Sequence, residues 1–208
     1  MIKSCKGLVM YKIDRVCETF NKYGGMMRTN QLSNEKIYYK DIQELIKEGY
    51  IEKIRTGYYQ WVNYEDLSEV STVIRLFPDG IFCMETALRY YGYSDRTPLE
   101  WHIAVNKNSN KTRFNIDYPF VKPYYIDPKV LELGISEQVV DDNKVRMYDK
   151  ERVVCDCMRY RNKMDREIFN KAIQNYINDS KKNISKLMEY AERLRVKRLV
   201  KELIGVWL

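Results

Sequence analysis

"LIKEGYIEKIRTGYYQW", residues 45–61, decides the fold of the N-terminal part of this chain. A helical pattern stops at Gly49, and two short strand-like runs then flank Thr56-Gly57. A two-residue loop of this kind is a strong hairpin signal, and it sets Arg55 opposite Tyr58 and Ile54 opposite Tyr59. Alternation then predicts Ile54, Tyr59 and Trp61 on one face, with Lys53, Arg55, Tyr58 and Gln60 on the other. The first set can close a small core. The second is polar and cationic.

Upstream, Met10, Ile13, Val16, Cys17 and Phe20 recur at helical spacing, giving a first helix that stops at Gly24-Gly25. Thr29 is a good N-cap for a short second helix, Asn30 to about Glu35, with Leu32 facing inward. The third helix ends at Gly49, a residue suited to the left-handed position beyond a helix C-terminus. Projected at 100° per residue, Ile42, Leu45 and Ile46 fall on one side, joined by Tyr38. Lys40, Gln43, Glu44 and Lys47 fall on the other, with Tyr39 at the flank. A recognition helix in a major groove needs this division, and so does an ordinary solvated helix, since Lys40/Glu44 and Glu44/Lys47 are standard i,i+4 and i,i+3 pairs. Three helices followed by a hairpin with a basic outer face is the order of a winged helix-turn-helix, in which the hairpin sets Lys53 and Arg55 against phosphates.

Composition bounds the rest. The 208 residues carry 36 Lys+Arg against 29 Asp+Glu, for a net charge of +7, and 45% are hydrophobic. That size suits one medium domain or two small ones. Basic residues outnumber acidic ones 11 to 9 over residues 1–66, trail 11 to 12 over 67–150 and lead 14 to 8 over 151–208. The excess at the two ends is compatible with a polyanion partner. Five cysteines without regular spacing argue against a disulfide framework and for a reducing compartment. Cys155-Asp156-Cys157 has no second ligand pair and His102 is the only histidine, so no metal is expected. No apolar run approaches the roughly 20 residues of a membrane span, and "GLVMY" is too short for a signal-peptide core. A cytoplasmic location is expected.

The stretches "MMRTNQL…IYYKDIQELIKEGYIEKIRTGYYQW", "FPDGIFCMETALRYYGYSDRTPLEWHIAV" and "KVRMYDKERVVCDCMRYRNKMDREIFNKAIQNY", in this order, resemble AbiEi-type antitoxins of bacterial abortive-infection (type IV toxin–antitoxin) systems. The resemblance runs from about Lys12 to Leu203. It implies a wing domain that binds inverted repeats in its own promoter, on which two copies would pair, a monomer in solution being compatible with this. It also implies a second domain that neutralises a nucleotidyltransferase toxin, with or without direct contact. Lys36 stands where members often have Gly, and Tyr38 where a Ser or Thr commonly caps the third helix. The DNA-contacting set expected from pattern and resemblance together is Arg28, Thr29, Tyr39, Lys40, Gln43, Glu44, Lys47, Lys53, Arg55, Thr56 and Tyr58. Glu44 could accept from a cytosine amino group or pair with Lys40.

The expected fold is α+β, with a winged helix-turn-helix at residues 1–66 and a larger mixed α/β antitoxin domain at 67–208 that ends in helices. Asn63–Ser71 reads as a linker becoming a helix, Glu85–Tyr91 as a helix ending at Gly92, and "WHIAV" as a buried strand. Short strands and turns fill 106–150. Asp149 can cap the next helix, whose Arg152 and Asp156 are i,i+4 partners. Leu187, Met188, Ala191 and Leu194 form one stripe and Leu199, Val200, Leu203 and Ile204 another; their phase slips near Arg195-Val196, which predicts two helices.

No catalytic constellation is evident. His102 lies in an apolar strand with no nucleophile beside it; Asp117, Asp141, Asp142 and Asp149 lack metal-ligand spacing; no phosphate-cradling Gly-rich loop is present. The chain is expected to be a non-enzyme that needs no cofactor. Arg159, Arg161, Lys163, Arg166 and Lys171, then Arg193, Arg195, Lys197, Arg198 and Lys201, form a second basic surface or a solvated helix face. An interaction module that neutralises a toxin without reading DNA is the alternative function.

Overall fold

Two left-handed residues frame the third helix of the chain, Lys36 at φ +62° and Gly49 at φ +77°. The structure is a computed structural model describing residues 3–62, 64 and 68–205, with side chains from Ile13 onward. It is an α+β protein with ten α-helices and two sheets among the described residues. The chain divides into one unit of residues 1–76 with 115–118 and another of 77–114 with 119–208.

The first unit runs α1 (Lys3–Lys22), β1 (Met26–Arg28), α2 (Thr29–Asn34), α3 (Tyr39–Lys47), β2 (Ile51–Arg55), β3 (Tyr58–Trp61) and α4 (Glu69–Leu76). Its core is Val16, Phe20, Met27, Leu32, Ile37, Ile42, Leu45, Ile51 and Tyr59, with Trp61 packed against it. The side chain of Met10 lies outside the described residues, as do Asn63, Glu65, Asp66 and Leu67 of the expected linker. The last part of that linker is α4, which belongs to this unit.

Thr56-Gly57 forms the two-residue loop and Arg55 faces Tyr58, but Lys53 and not Ile54 lies opposite Tyr59. A bulge at Ile54 absorbs one residue and shifts the register, leaving Ile54 half-buried. The sheet has a third strand: β1 pairs antiparallel with β3, giving the order β1-β3-β2. Helix α2 starts one residue earlier than its sequence suggests, because the backbone N–H of Arg28 donates to Gln31 Oε1 at 2.7 Å.

The second unit is a five-stranded mixed sheet of order β6-β5-β4-β8-β7, from β4 (Ile81–Phe82), β5 (Trp101–Asn106), β6 (Val121–Ile126), β7 (Ile135–Val140) and β8 (Asn143–Tyr148). Helices α5 (Met84–Tyr90), α6 (Pro128–Leu131), α7 (Lys150–Tyr160), α8 (Arg166–Asn178), α9 (Ile184–Arg193) and α10 (Lys197–Leu203) complete it. Helix α7 is its axis: every residue from Glu151 to Met158 is buried, and α5, α8, α9 and α10 all pack on it. Asp149 caps it by accepting from the Arg152 N–H at 2.9 Å. The break between α9 and α10 falls at Arg195, which takes φ +61°. No helix among the described residues is long and apolar enough to cross a membrane.

Arg152 has no solvent exposure. Its Nε donates to Asp156 Oδ2 at 2.9 Å, and its Nη1 to the carbonyls of Val130 and Leu133 at 2.6 and 2.7 Å. Removing Arg152 leaves Asp156 with only the more exposed Arg159 as a partner and the Val130 and Leu133 carbonyls without their donor, a loss of about 3–5 kcal/mol. Arg152→Met is therefore expected to lower the stability read by urea denaturation by about that amount, and Arg152→Met with Asp156→Leu to recover much of it. A single variant no less stable than the double would show that Asp156 draws no support from Arg152.

Candidate nucleic-acid interface

Helix α3 is short, so its ends decide whether it forms. Lys36 reverses the chain in the left-handed region, where the N–H of Ile37 donates to the Leu32 carbonyl at 2.9 Å. Tyr38 is the N-cap, and its backbone N–H donates to Asp41 Oδ2 at 3.0 Å in place of a Ser or Thr cap. At the other end the Tyr50 N–H returns to the Leu45 carbonyl at 2.9 Å, which the left-handed Gly49 makes possible.

This framing divides the helix surface three ways. Ile42 and Leu45 are buried and Ile46 is half-buried. Tyr38 does not join them: as the cap residue it precedes the first turn, and it is 59% exposed. Tyr39 is 75% exposed, and Lys40, Gln43 and Lys47 are exposed with side chains that make no hydrogen bond or ion pair among the described residues. Asp41, Glu44 and Glu48 form a separate acidic flank. With Glu35, Arg15 and Lys36 they border a groove of about 490 Å³ between α1 and α3, over Val16, Ile37 and Leu45. Glu44 thus lies at this groove, while remaining exposed.

Strand β2 packs beside α3 and presents Lys53, which is exposed and unpaired among the described residues. Thr56 is exposed at the hairpin tip. Thr29 is tied to that tip, its N–H donating to the Gly57 carbonyl at 3.0 Å. The two arginines are engaged within the unit. Arg55 Nη2 donates to the Leu76 carbonyl at 2.6 Å, and its guanidinium lies 4.0 Å from the Tyr58 ring centroid. Arg28 covers the same ring at 5.2 Å and reaches the Arg75 carbonyl at 3.5 Å. Arg75 in turn donates to the Tyr23 carbonyl and to Ser71 Oγ. Sequence reasoning missed Arg75 because its partner is a backbone carbonyl, which no residue pattern marks.

The second basic set falls at two turns. Arg159 bonds Asp156 at 3.1 Å, and Arg161 and Lys163 follow it in an exposed 3-10 turn. Arg193, Arg195 and Arg198 are exposed around the α9–α10 turn, where Lys197 pairs with Glu192 at 3.0 Å. Lys171 pairs with Asp95.

Among the described residues no three His, Cys, Asp or Glu side chains gather as a metal site. Cys83, Cys155 and Cys157 are buried, and burial pushes their thiols up, away from the nucleophilic thiolate. Asp141 and Asp142 are the left-handed residues of the β7–β8 turn. The chain matches no family model and no curated protein.

His102 is a core residue held by its neighbours. Its backbone N–H donates to Thr86 Oγ1 at 2.8 Å, and its ring Nδ1 lies 3.3 Å from the Glu85 backbone nitrogen and 3.4 Å from the Tyr124 hydroxyl. Burial, reinforced by Lys122, lowers its pKa to about 4. With an unfolded value near 6.5, the unfolded chain binds the extra proton between these limits, so stability rises with pH. The contribution is complete above about pH 6.5 and lost as pH falls toward 4, a swing of about 3 kcal/mol. Urea titrations across this range should show it, and His102→Gln should flatten the curve. An equal slope in the variant would place the titration elsewhere.

Proposed function

We propose that the first unit is a winged helix-turn-helix that sets α3 in the DNA major groove with the β2–β3 hairpin as its wing, and that the chain is the autorepressing antitoxin of a type IV toxin–antitoxin operon. The observation that carries the DNA reading is the exposed, unpaired row Lys40, Gln43 and Lys47, with Tyr39, on a helix whose other faces are core and acidic groove. Lys53 and Thr56 extend that row onto the hairpin. The order α1-β1-α2-α3-β2-β3 supports the winged-helix assignment. In this reading Gln43 meets base edges, Lys47 and Lys53 meet phosphates, and Glu44 stays at the groove. The antitoxin role, its nucleotidyltransferase target and the cytoplasmic setting rest on the three sequence blocks that resemble AbiEi-type proteins, with neutralisation by binding or competition rather than by a reaction.

The engagement of Arg28 and Arg55 within the unit favours a second reading, a protein-interaction module that neutralises the toxin without reading DNA. Titration with the duplex immediately upstream of the chain's own coding sequence separates the two. Gln43→Ala should cost about 1–3 kcal/mol on that duplex and little on a scrambled one. Lys47→Ala and Lys53→Ala should weaken both about equally, each lowering the salt slope by roughly one. Specific binding that Gln43→Ala leaves untouched would remove α3 from the groove.

The antitoxin role has its own check, co-expression with the toxin from a promoter this chain cannot repress. Growth rescue should survive Gln43→Ala if neutralisation belongs to the second unit. Loss of rescue in that variant would move the neutralising surface onto α3.

A further inference from the structure

Helix α4 ends on the guanidinium groups of Arg55, on the β2–β3 hairpin, and of Arg28, at the end of β1. Its last carbonyls carry the partial negative charge of a helix C-terminus, about half an elementary charge. Arg55 reaches the Leu76 carbonyl at 2.6 Å and Arg28 the Arg75 carbonyl at 3.5 Å, with the Tyr58 ring between them. The helix is held there by its own Arg75, which binds the Tyr23 carbonyl and lies over Gly24. Val70, Val73 and Leu76 of α4 are buried.

Resting on the DNA-binding reading above, we infer that α4 is a built-in competitor for DNA: its carbonyl end occupies Arg55 of the wing and Arg28 of β1, which would otherwise bind phosphates, so that helix docking and full duplex engagement exclude each other. A guanidinium gains more from a charged phosphate oxygen than from a neutral carbonyl, because the charge-assisted bond is roughly twice as strong. The apolar burial of α4 and the grip of Arg75 oppose the exchange. Which side wins depends on how the gain at the two guanidinium groups compares with the burial that undocking α4 gives up. Linkage makes the coupling reciprocal: whatever loosens α4 tightens DNA binding, and DNA loosens α4 by the same factor. Lys40, Gln43, Lys47 and Lys53 lie outside the clasp and make the first encounter, and the arginines follow.

The test uses the full chain, the duplex upstream of its own coding sequence, and hydrogen exchange across residues 69–76. Arg75→Ala releases the helix without touching Arg28 or Arg55, and should bind the duplex at least threefold more tightly, whereas Arg55→Ala should bind more weakly. In the unaltered chain, saturating duplex should speed exchange in α4, a readout that does not depend on how well a variant folds. Duplex binding that leaves α4 exchange unchanged or slower would overturn the competition while leaving the DNA reading intact. Failure of the unaltered chain and both variants to bind any duplex would overturn that reading and the competition with it.

Discussion

One buried cation organises the second unit. The Arg152 guanidinium sits 4.1 Å from the centroid of the Tyr148 ring and binds Asp156, one turn along its own helix. Its remaining bonds go to the carbonyls that close α6, so helix, strand and turn meet at one planar group. An ion placed there gives directional bonds that aliphatic packing lacks, and a guanidinium presents them in a fixed fork. Once α7 is fixed by this point, the helices that pack on it have one seat. Glu151 repeats the device on a smaller scale, accepting from the Asn183 N–H at 2.9 Å and so locating the start of α9.

The first unit uses arginine differently. Arg28, Arg55 and Arg75 each bond backbone carbonyls, and between them they join the turn after α1, the hairpin and α4. Helix α3 is left to carry its lysines, tyrosine and glutamine outward, with its carboxylates gathered on a different flank. Asp41 and Glu48 lie away from Lys40, Gln43 and Lys47, while the exposed Glu44 borders both that row and the groove. Lys40 and Lys47 nevertheless have no hydrogen bond or ion pair with Glu44, although their spacing would allow one.

Local chemistry was legible in the sequence and distant chemistry was not. Gly49 ended α3, Thr56-Gly57 turned the hairpin, Asp149 capped α7, and Arg152 found Asp156, all within a few residues of one another. His102 read as a core or edge residue of an apolar strand, and it lies in the core. Strand β1 escaped because three residues carry no period, and its pairing with β3 spans half the unit. The bulge at Ile54 broke the simple alternation, since one extra residue changes which side chain opposes Tyr59. Tyr38 looked apolar enough to pack, but the cap position turned it outward. The arginine clasp joins residues 21 to 52 positions apart through backbone oxygens, which every residue possesses and none advertises.

The two glycines after α1 carry a consequence for where this chain can be cut. A Cβ on Gly24 would meet the Arg75 guanidinium at 2.2 Å, and one on Gly25 the Tyr64 ring at 2.4 Å. The turn is bare because later residues roof it. A fragment ended at residue 66, where composition suggests a boundary, would lose Arg75 and the carbonyls that hold Arg28 and Arg55, and would leave this turn partly unroofed. The natural seam lies after Leu76, so the segment that looks like a tether is the lid of the domain it follows.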